Sequence, residues 1–146
     1  MSPPNPTFWQ RWIAHWWCAW GHSLCHMGNR SAERVFYELS VAAFGRARRW
    51  WPTLAAAYYH SGFIRGRELN EYEPAVADLT QAIELAPDWP DPYLQRGLFH
   101  RFHGALDIAL ADLQHYLMLG GDTYWRGEAE RYVRQIQDEL AEQEKS

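Results

Sequence analysis

The chain has a single lysine, Lys145, in 146 residues, and only two cysteines, Cys18 and Cys25. Two thiols seven residues apart make no disulfide framework of the secreted kind and favour a cytoplasmic setting. The N-terminus lacks the basic start, long apolar segment and small-residue cleavage site of a signal peptide. No segment reads as a strand, so a phosphate-binding loop between strand and helix has no place to form. Ser23 stands in no Gly-x-Ser-x-Gly elbow, and Ser61-Gly62 falls within a helical pattern. The acid pairs Asp88/Asp91 and Asp107/Asp112 read as caps and solvated faces. Neither catalysis nor a cofactor is therefore expected. A concentrated basic stripe is missing too, which argues against nucleic acid as a partner.

What is present is aromatic and apolar. Apolar residues make up 47% and aromatics 16%, with nine Trp, so the chain is neither disordered nor short of core material. The net charge of −4 is divided unevenly. Residues 1–52 hold six Arg against two Glu, and residues 53–146 hold eight basic against sixteen acidic side chains. Such a split can steer partners or neighbouring subunits. Between Arg11 and Arg30 lie 18 residues without formal charge, but His15, His22, His26, Ser23 and Asn29 interrupt them. A membrane span needs about 20 mostly apolar residues. The stretch is read as a buried or interfacial helix.

Apolar periodicity gives seven helices. Residues 1–7, with three Pro, form a flexible lead-in. The first helix runs from Phe8 to about Met27, with Trp9, Trp12, Ile13, Trp16, Trp17, Trp20 and Leu24 as one broad stripe. Gly28-Asn29 ends it, and Ser31 is expected to cap a second helix over Ala32–Arg49 with Val35, Phe36, Leu39, Ala43 and Phe44 inward. Pro52 opens a third, to Arg67. Pro74 stands in the first turn of a fourth, to Ala86, where its missing N–H needs no partner. Asp91-Pro92 starts a fifth, to His103, and the sixth covers Ala105–Leu119. Gly120-Gly121 stops it, and Asp122 caps a seventh to about Glu142, with Tyr124, Trp125, Tyr132, Val133 and Ile136 inward.

The sequence also repeats. Glu73-Pro74-Ala75-Val76-Ala77-Asp78-Leu79 returns 34 residues later as Asp107-Ile108-Ala109-Leu110-Ala111-Asp112-Leu113. Tyr58…Gly62…Ala75…Leu79…Pro87 makes one copy and Tyr93…Gly97…Ala109…Leu113 the next, with Gly121 where Pro would stand. The region from Pro52 to Gly121 resembles the tetratricopeptide family, whose repeat is a 34-residue helical hairpin. Departures are one extra residue near Leu69-Asn70, and polar Ser61 and Arg96 where Leu is usual. Upstream, Trp17-x-x-Trp20-Gly21-x-x-Leu24 and Ser40…Phe44…Pro52 form a degenerate third copy. The resemblance implies an all-α solenoid of helical hairpins with a C-terminal capping helix. One domain is expected over residues 1–146: a Trp-rich degenerate hairpin (8–52), clear repeats (53–87 and 88–121) and the cap (122–146).

By the same resemblance, the first helices of the hairpins line a concave groove that binds a protein or peptide. Its positions here are His22, Cys25 and His26, then Tyr59, His60, Phe63 and Arg67, then Leu94, Gln95, Leu98, Arg101 and Phe102. The expected ligand bears acidic and apolar side chains, because Arg and aromatics dominate binding hot spots. The Lys/Asn/Arg set with which part of the family grips a C-terminal carboxylate is missing, given the single lysine. The resemblance thus implies a non-enzymatic adaptor or scaffold.

Two further features stand apart. His15, Cys18, His22, Cys25 and His26 recur at steps of three and four, and His22, Cys25 and His26 are the candidate metal ligands. One straight helix presents too few ligands for an ion, so small side chains packed on a Trp-rich helix are the preferred reading. The Trp9, Trp12, Trp16 and Trp20 stripe has three readings: hairpin core, a docking face for a larger complex or a second copy, or a membrane interface. The membrane reading ranks last, since a peripheral helix usually carries more Lys/Arg on its polar face.

Overall fold

The computed structural model describes residues 5–145. Among these there are seven α-helices and no strand: α1 (Phe8–Ser31), α2 (Arg34–Trp50), α3 (Ala55–Arg67), α4 (Tyr72–Leu85), α5 (Pro90–Phe102), α6 (Leu106–Met118) and α7 (Thr123–Gln143). They form two compact units, one ending at Leu85 and the other beginning at Ala86. In the first, α1 packs on α2, α2 on α3 and α3 on α4. In the second, α5 packs on α6 and α6 on α7.

Each hairpin closes on a glycine. A Cβ at Gly62 would lie 2.9 Å from the Ala75 carbonyl oxygen and from Leu79 Cγ. At Gly97 it would meet Asp112 Cβ and Leu113 Cγ at 3.1 Å. These contacts are tighter than a methyl group tolerates without movement of its neighbours. The degenerate hairpin repeats the device. Gly21 faces the Phe44 ring at 3.0 Å, and the buried Ser40 hydroxyl donates to the Gly21 carbonyl at 2.7 Å.

This close approach overturns several expectations about the first hairpin. Gly28 does not end α1. It gives room to the Tyr37 ring, 2.9 Å from where its Cβ would stand. The helix runs on to Ser31, and Ala32 in the left-handed region caps it (φ 57°). Ser31 therefore belongs to α1, and Glu33 takes the N-cap position of α2. The buried residues of α1 are Ala14, Gly21, Leu24 and Gly28, with Trp17 half-buried against them, whereas Trp9, Trp12, Trp16 and Trp20 are exposed. On α2, Tyr37, Ser40, Val41, Ala43, Phe44 and Ala47 are buried, while Val35 and Leu39 are exposed. Phe44 over Gly21 and Tyr37 over Gly28 set that rotation.

Smaller differences lie at other ends. The lead-in falls largely on residues 1–4, outside the described residues. Thr7 is the N-cap of α1, in a reciprocal capping box with Gln10. Pro52 lies in the turn before α3, whose first residue is Ala55. Asp122 caps α7 as expected, accepting from the Tyr124 amide at 2.7 Å. The buried residues of α7 are Ala129 and Ile136, and both Tyr124 and Trp125 are exposed. The extra residue of the first clear repeat is absorbed before Asn70 (φ 58°), which stands 34 residues ahead of Gly104 (φ 79°) in the same role. Leu69 beside it is buried, and its carbonyl accepts from the Arg34 guanidinium at 3.2 Å.

The polar departures from the repeat have partners in register. Ser61 donates to Asp78 at 2.7 Å, and Arg48 of α2 reaches the other oxygen of Asp78, also at 2.7 Å. Arg65 adds a looser contact at 3.4 Å. In the next repeat, Arg96 forks onto both oxygens of Asp112 at 2.8 and 2.7 Å. Asp78 and Asp112 are 34 residues apart. Each repeat thus sets one carboxylate at the hairpin crossing, half-buried for Asp78 and buried for Asp112, met chiefly by a guanidinium from α2 in the first case and from its own first helix in the second. A half-removed buried pair leaves an uncompensated charge, whereas an apolar replacement of both partners can be neutral. Asp112→Ala is expected to cost about 3–5 kcal/mol in urea unfolding. The double variant Arg96→Leu/Asp112→Leu should recover most of that loss, and equal losses in both would show that the pair is not the cause.

Candidate functional site

Within the first unit, α1 and α3 bring together the expected groove residues. The imidazoles of His22 and His60 meet edge to face at 4.3 Å, and both lie on the Phe44 ring, at 5.2 and 5.5 Å. Tyr59 continues the surface, 5.0 Å from His60 and 6.2 Å from Phe63. Arg67 closes it, its guanidinium 5.0 Å over the Phe63 ring. Cys25 and Phe63 are half-buried against the Tyr37–Val41–Ile64 core. The result is a continuous aromatic face ending in an exposed cation. Rigid rings held by packing can bind an apolar side chain with little further loss of freedom, and Arg67 can meet a carboxylate.

Burial shapes the chemistry of this face. It pushes the His60 pKa down to about 4, with the His22 ring as the second cause, and partial burial lowers His22 as well. Burial also raises the Cys18 thiol to about 11, and the Cys25 thiol upward, with the Glu68 carboxylate assisting there. Both shifts favour the neutral thiol over the more nucleophilic thiolate. Among the described residues no group of three or more His, Cys, Asp or Glu side chains is placed to hold a metal ion. His22 meets His60 of α3, 38 residues away in sequence.

In the second unit the expected residues divide. Leu94 and Gln95 are buried, so their side chains are committed to packing. Leu98 is half-buried and Phe102 is 73% exposed. Arg101 is held by Glu139 of α7 at 3.2 Å and lies 5.4 Å from the Tyr132 ring centre. It braces α7 rather than standing open.

The tryptophan stripe faces outward. Trp9, Trp12, Trp16 and Trp20 are 49–70% exposed, and Trp16 and Trp20 stack with their planes 3° apart. The core reading of these four is thereby set aside. Trp17 alone turns inward, under the Arg46 guanidinium at 4.6 Å. Among the described residues no helix is long and apolar enough to cross a membrane.

No family model matches the chain. Over 96 residues it is 29% identical to the small glutamine-rich tetratricopeptide repeat-containing protein 2 of Saccharomyces cerevisiae, a match covering 66% of this chain and 28% of that protein. The chain thus spans less than a third of the length of the curated relative it matches. The TPR2B domain of yeast Sti1, solved as a pHsp70 complex, superposes with a TM-score of 0.74 at 15% identity over 87% of this chain and 98% of that one. The second TPR domain of human RPAP3, solved with the HSP70 peptide SGPTIEEVD, gives 0.66 at 22% identity over 85% and 98%.

The neutral His60 fixes the sign of a pH dependence. Its folded pKa of about 4 lies below the ordinary 6.5, so the unfolded chain binds the proton more readily. The contribution of neutral His60 is complete above pH 6.5 and is lost as pH falls from there through 4. The loss is expected to reach on the order of 3 kcal/mol at most. Urea midpoints at pH 7.5 and 4.5 measure it, and His60→Phe, which suits the Phe44 and His22 rings, should flatten the difference.

Proposed function

Since this chain has the tetratricopeptide-repeat fold, we propose that it is a protein-interaction adaptor, not an enzyme, and that the α1/α3 face is where it grips its partner. The observation that carries this reading is the aromatic surface of Tyr59, His60 and Phe63, ending in the exposed Arg67. Side chains of this type anchor extended or helical peptides. The matching ligand offers one or two apolar side chains for the rings and an acidic group for Arg67. Solved relatives hold peptides of this composition, SGPTIEEVD on human RPAP3 among them. With Lys145 as the only lysine, at the far end of the chain, the face lacks a lysine for a terminal carboxylate, so recognition rests on side chains.

Arg101 is excluded as a probe, because a glutamate there would oppose Glu139 and test the docking of α7 instead.

The test is affinity capture from native lysate on the full chain beside Arg67→Glu and Tyr59→Ala, with helicity checked by circular dichroism. A discrete protein held by the parent and lost from both variants is the expected result. Equal retention by all three would remove the α1/α3 face from the reading. In a companion titration, SGPTIEEVD as free acid and as C-terminal amide should bind within about threefold of one another, well under the tenfold that 1.4 kcal/mol would give.

A further inference from the structure

Within the first unit, the α1/α2 hairpin meets α3 through α2. α3 packs against α2, and Phe44, Ala47, Ala57 and Ile64 share that core. Elsewhere on the same hairpin, between α1 and α2, lies a groove of about 270 Å³ lined by Trp17, Trp20, Leu24, Leu39, Ala42 and Arg46. Its apolar lining is open to solvent: Trp20 and Leu39 are each about half exposed. On this hairpin Trp16, Trp20 and Leu39 stand open to solvent. A contiguous apolar patch of this kind marks an interaction site.

Shape and charge specify the occupant. The groove runs between two helices over the small side chain of Ala42, with Trp20 and Leu39 as walls, which suits the apolar ridge of a third helix. α1 contains no acidic residue over its whole length. Arg46 at the groove and Arg49 one turn on are both exposed, and neither forms an ion pair among the described residues. On α2, Glu38 is already held by Arg34 at 2.7 Å. The charged side chain lining the groove, Arg46, is thus a cation, with Arg49 adding a second positive charge nearby on α2.

We propose that this groove docks an amphipathic helix of a partner protein, its apolar ridge seated between Trp20 and Leu39 and its flanking carboxylates opposite Arg46 and Arg49. A second copy of this chain placed face to face would set these arginines against their own counterparts. A bilayer would use the protruding tryptophans but leave the buried Leu24 and Ala43 of the groove unfilled. The proposal does not depend on the α1/α3 face, since Arg67 lies on another helix.

Fluorescence anisotropy on the full chain tests it. One labelled synthetic helix carries Leu at i, i+3, i+4 and i+7 with Glu on both flanks, and a second carries Lys in place of Glu. The Glu helix is expected to bind at least about tenfold tighter, with Leu39→Asp removing both. Arg46→Glu/Arg49→Glu should reverse the preference, a gain for the Lys helix that an unfolded protein could not give. Arg67→Glu should leave all of this unchanged. Equal affinity for the two helices, no saturable binding of either, or indifference to Leu39→Asp overturns the proposal. So does sedimentation as a dimer that Leu39→Asp dissociates, which assigns the groove to a second copy. Flotation with phosphatidylserine vesicles that Trp12→Ala/Trp16→Ala abolishes would assign the face to lipid, and overturns it equally.

Discussion

In all three hairpins a glycine of the first helix lies against a bulky side chain of the second: Gly21 on Phe44, Gly62 on Leu79, Gly97 on Leu113. The missing Cβ lets the two backbones approach, and most else in the structure follows from that distance. It brings Asp112 Cβ within 3.1 Å of where a Gly97 side chain would begin, so the carboxylate is buried at the crossing and requires the Arg96 fork. Asp78 stands at the same crossing one repeat earlier, where small Ser61 leaves the guanidinium to come from Arg48. Buried charge of this kind seldom adds stability over an apolar pair, but it penalises any register that leaves the acid alone. Close packing and paired charge together fix how each hairpin closes.

The same constraint explains what could be read in advance. The 34-residue period, the Gly62 and Gly97 crossings and the third copy at Gly21, Ser40 and Phe44 were all legible, because identical packing demands identical spacing of small and large residues. The face of α1 was not. Apolar periodicity weights Trp9, Trp12, Trp16 and Trp20 heavily and Ala14, Gly21 and Gly28 hardly at all, yet the smallest side chains are the ones that can lie against Phe44 and Tyr37. Gly28 was ambiguous for a related reason: a glycine near a helix end serves equally as a stop or as room for a ring 2.9 Å away. The residues of the α1/α3 face were legible as a set of positions, whereas the meeting of His22 with His60 depends on tertiary packing that no local motif records. Leu94, Gln95 and Arg101 shared the expected register with the open residues, and only packing separates buried from braced from free.

The outward tryptophans then need a reason of their own. A helix whose inner stripe is Ala14, Gly21, Leu24 and Gly28 has no room to bury indole on that face, so the aromatic excess of this chain does not arise from its core. Four exposed tryptophans on one helix, two of them stacked, are costly to leave in water and add nothing to the closing of the hairpin. Meanwhile α1 turns His22 and Cys25 towards α3, and Phe44 touches both Gly21 on the hairpin crossing and His60 on the aromatic face. One helix therefore carries two surfaces back to back, separated by little more than that single ring. Substitutions in Phe44 or Gly21 would disturb both at once. Arg67 belongs to one surface alone and Arg46 to the other, which is why charge reversal at these two positions can tell the surfaces apart while the hairpin between them stays closed.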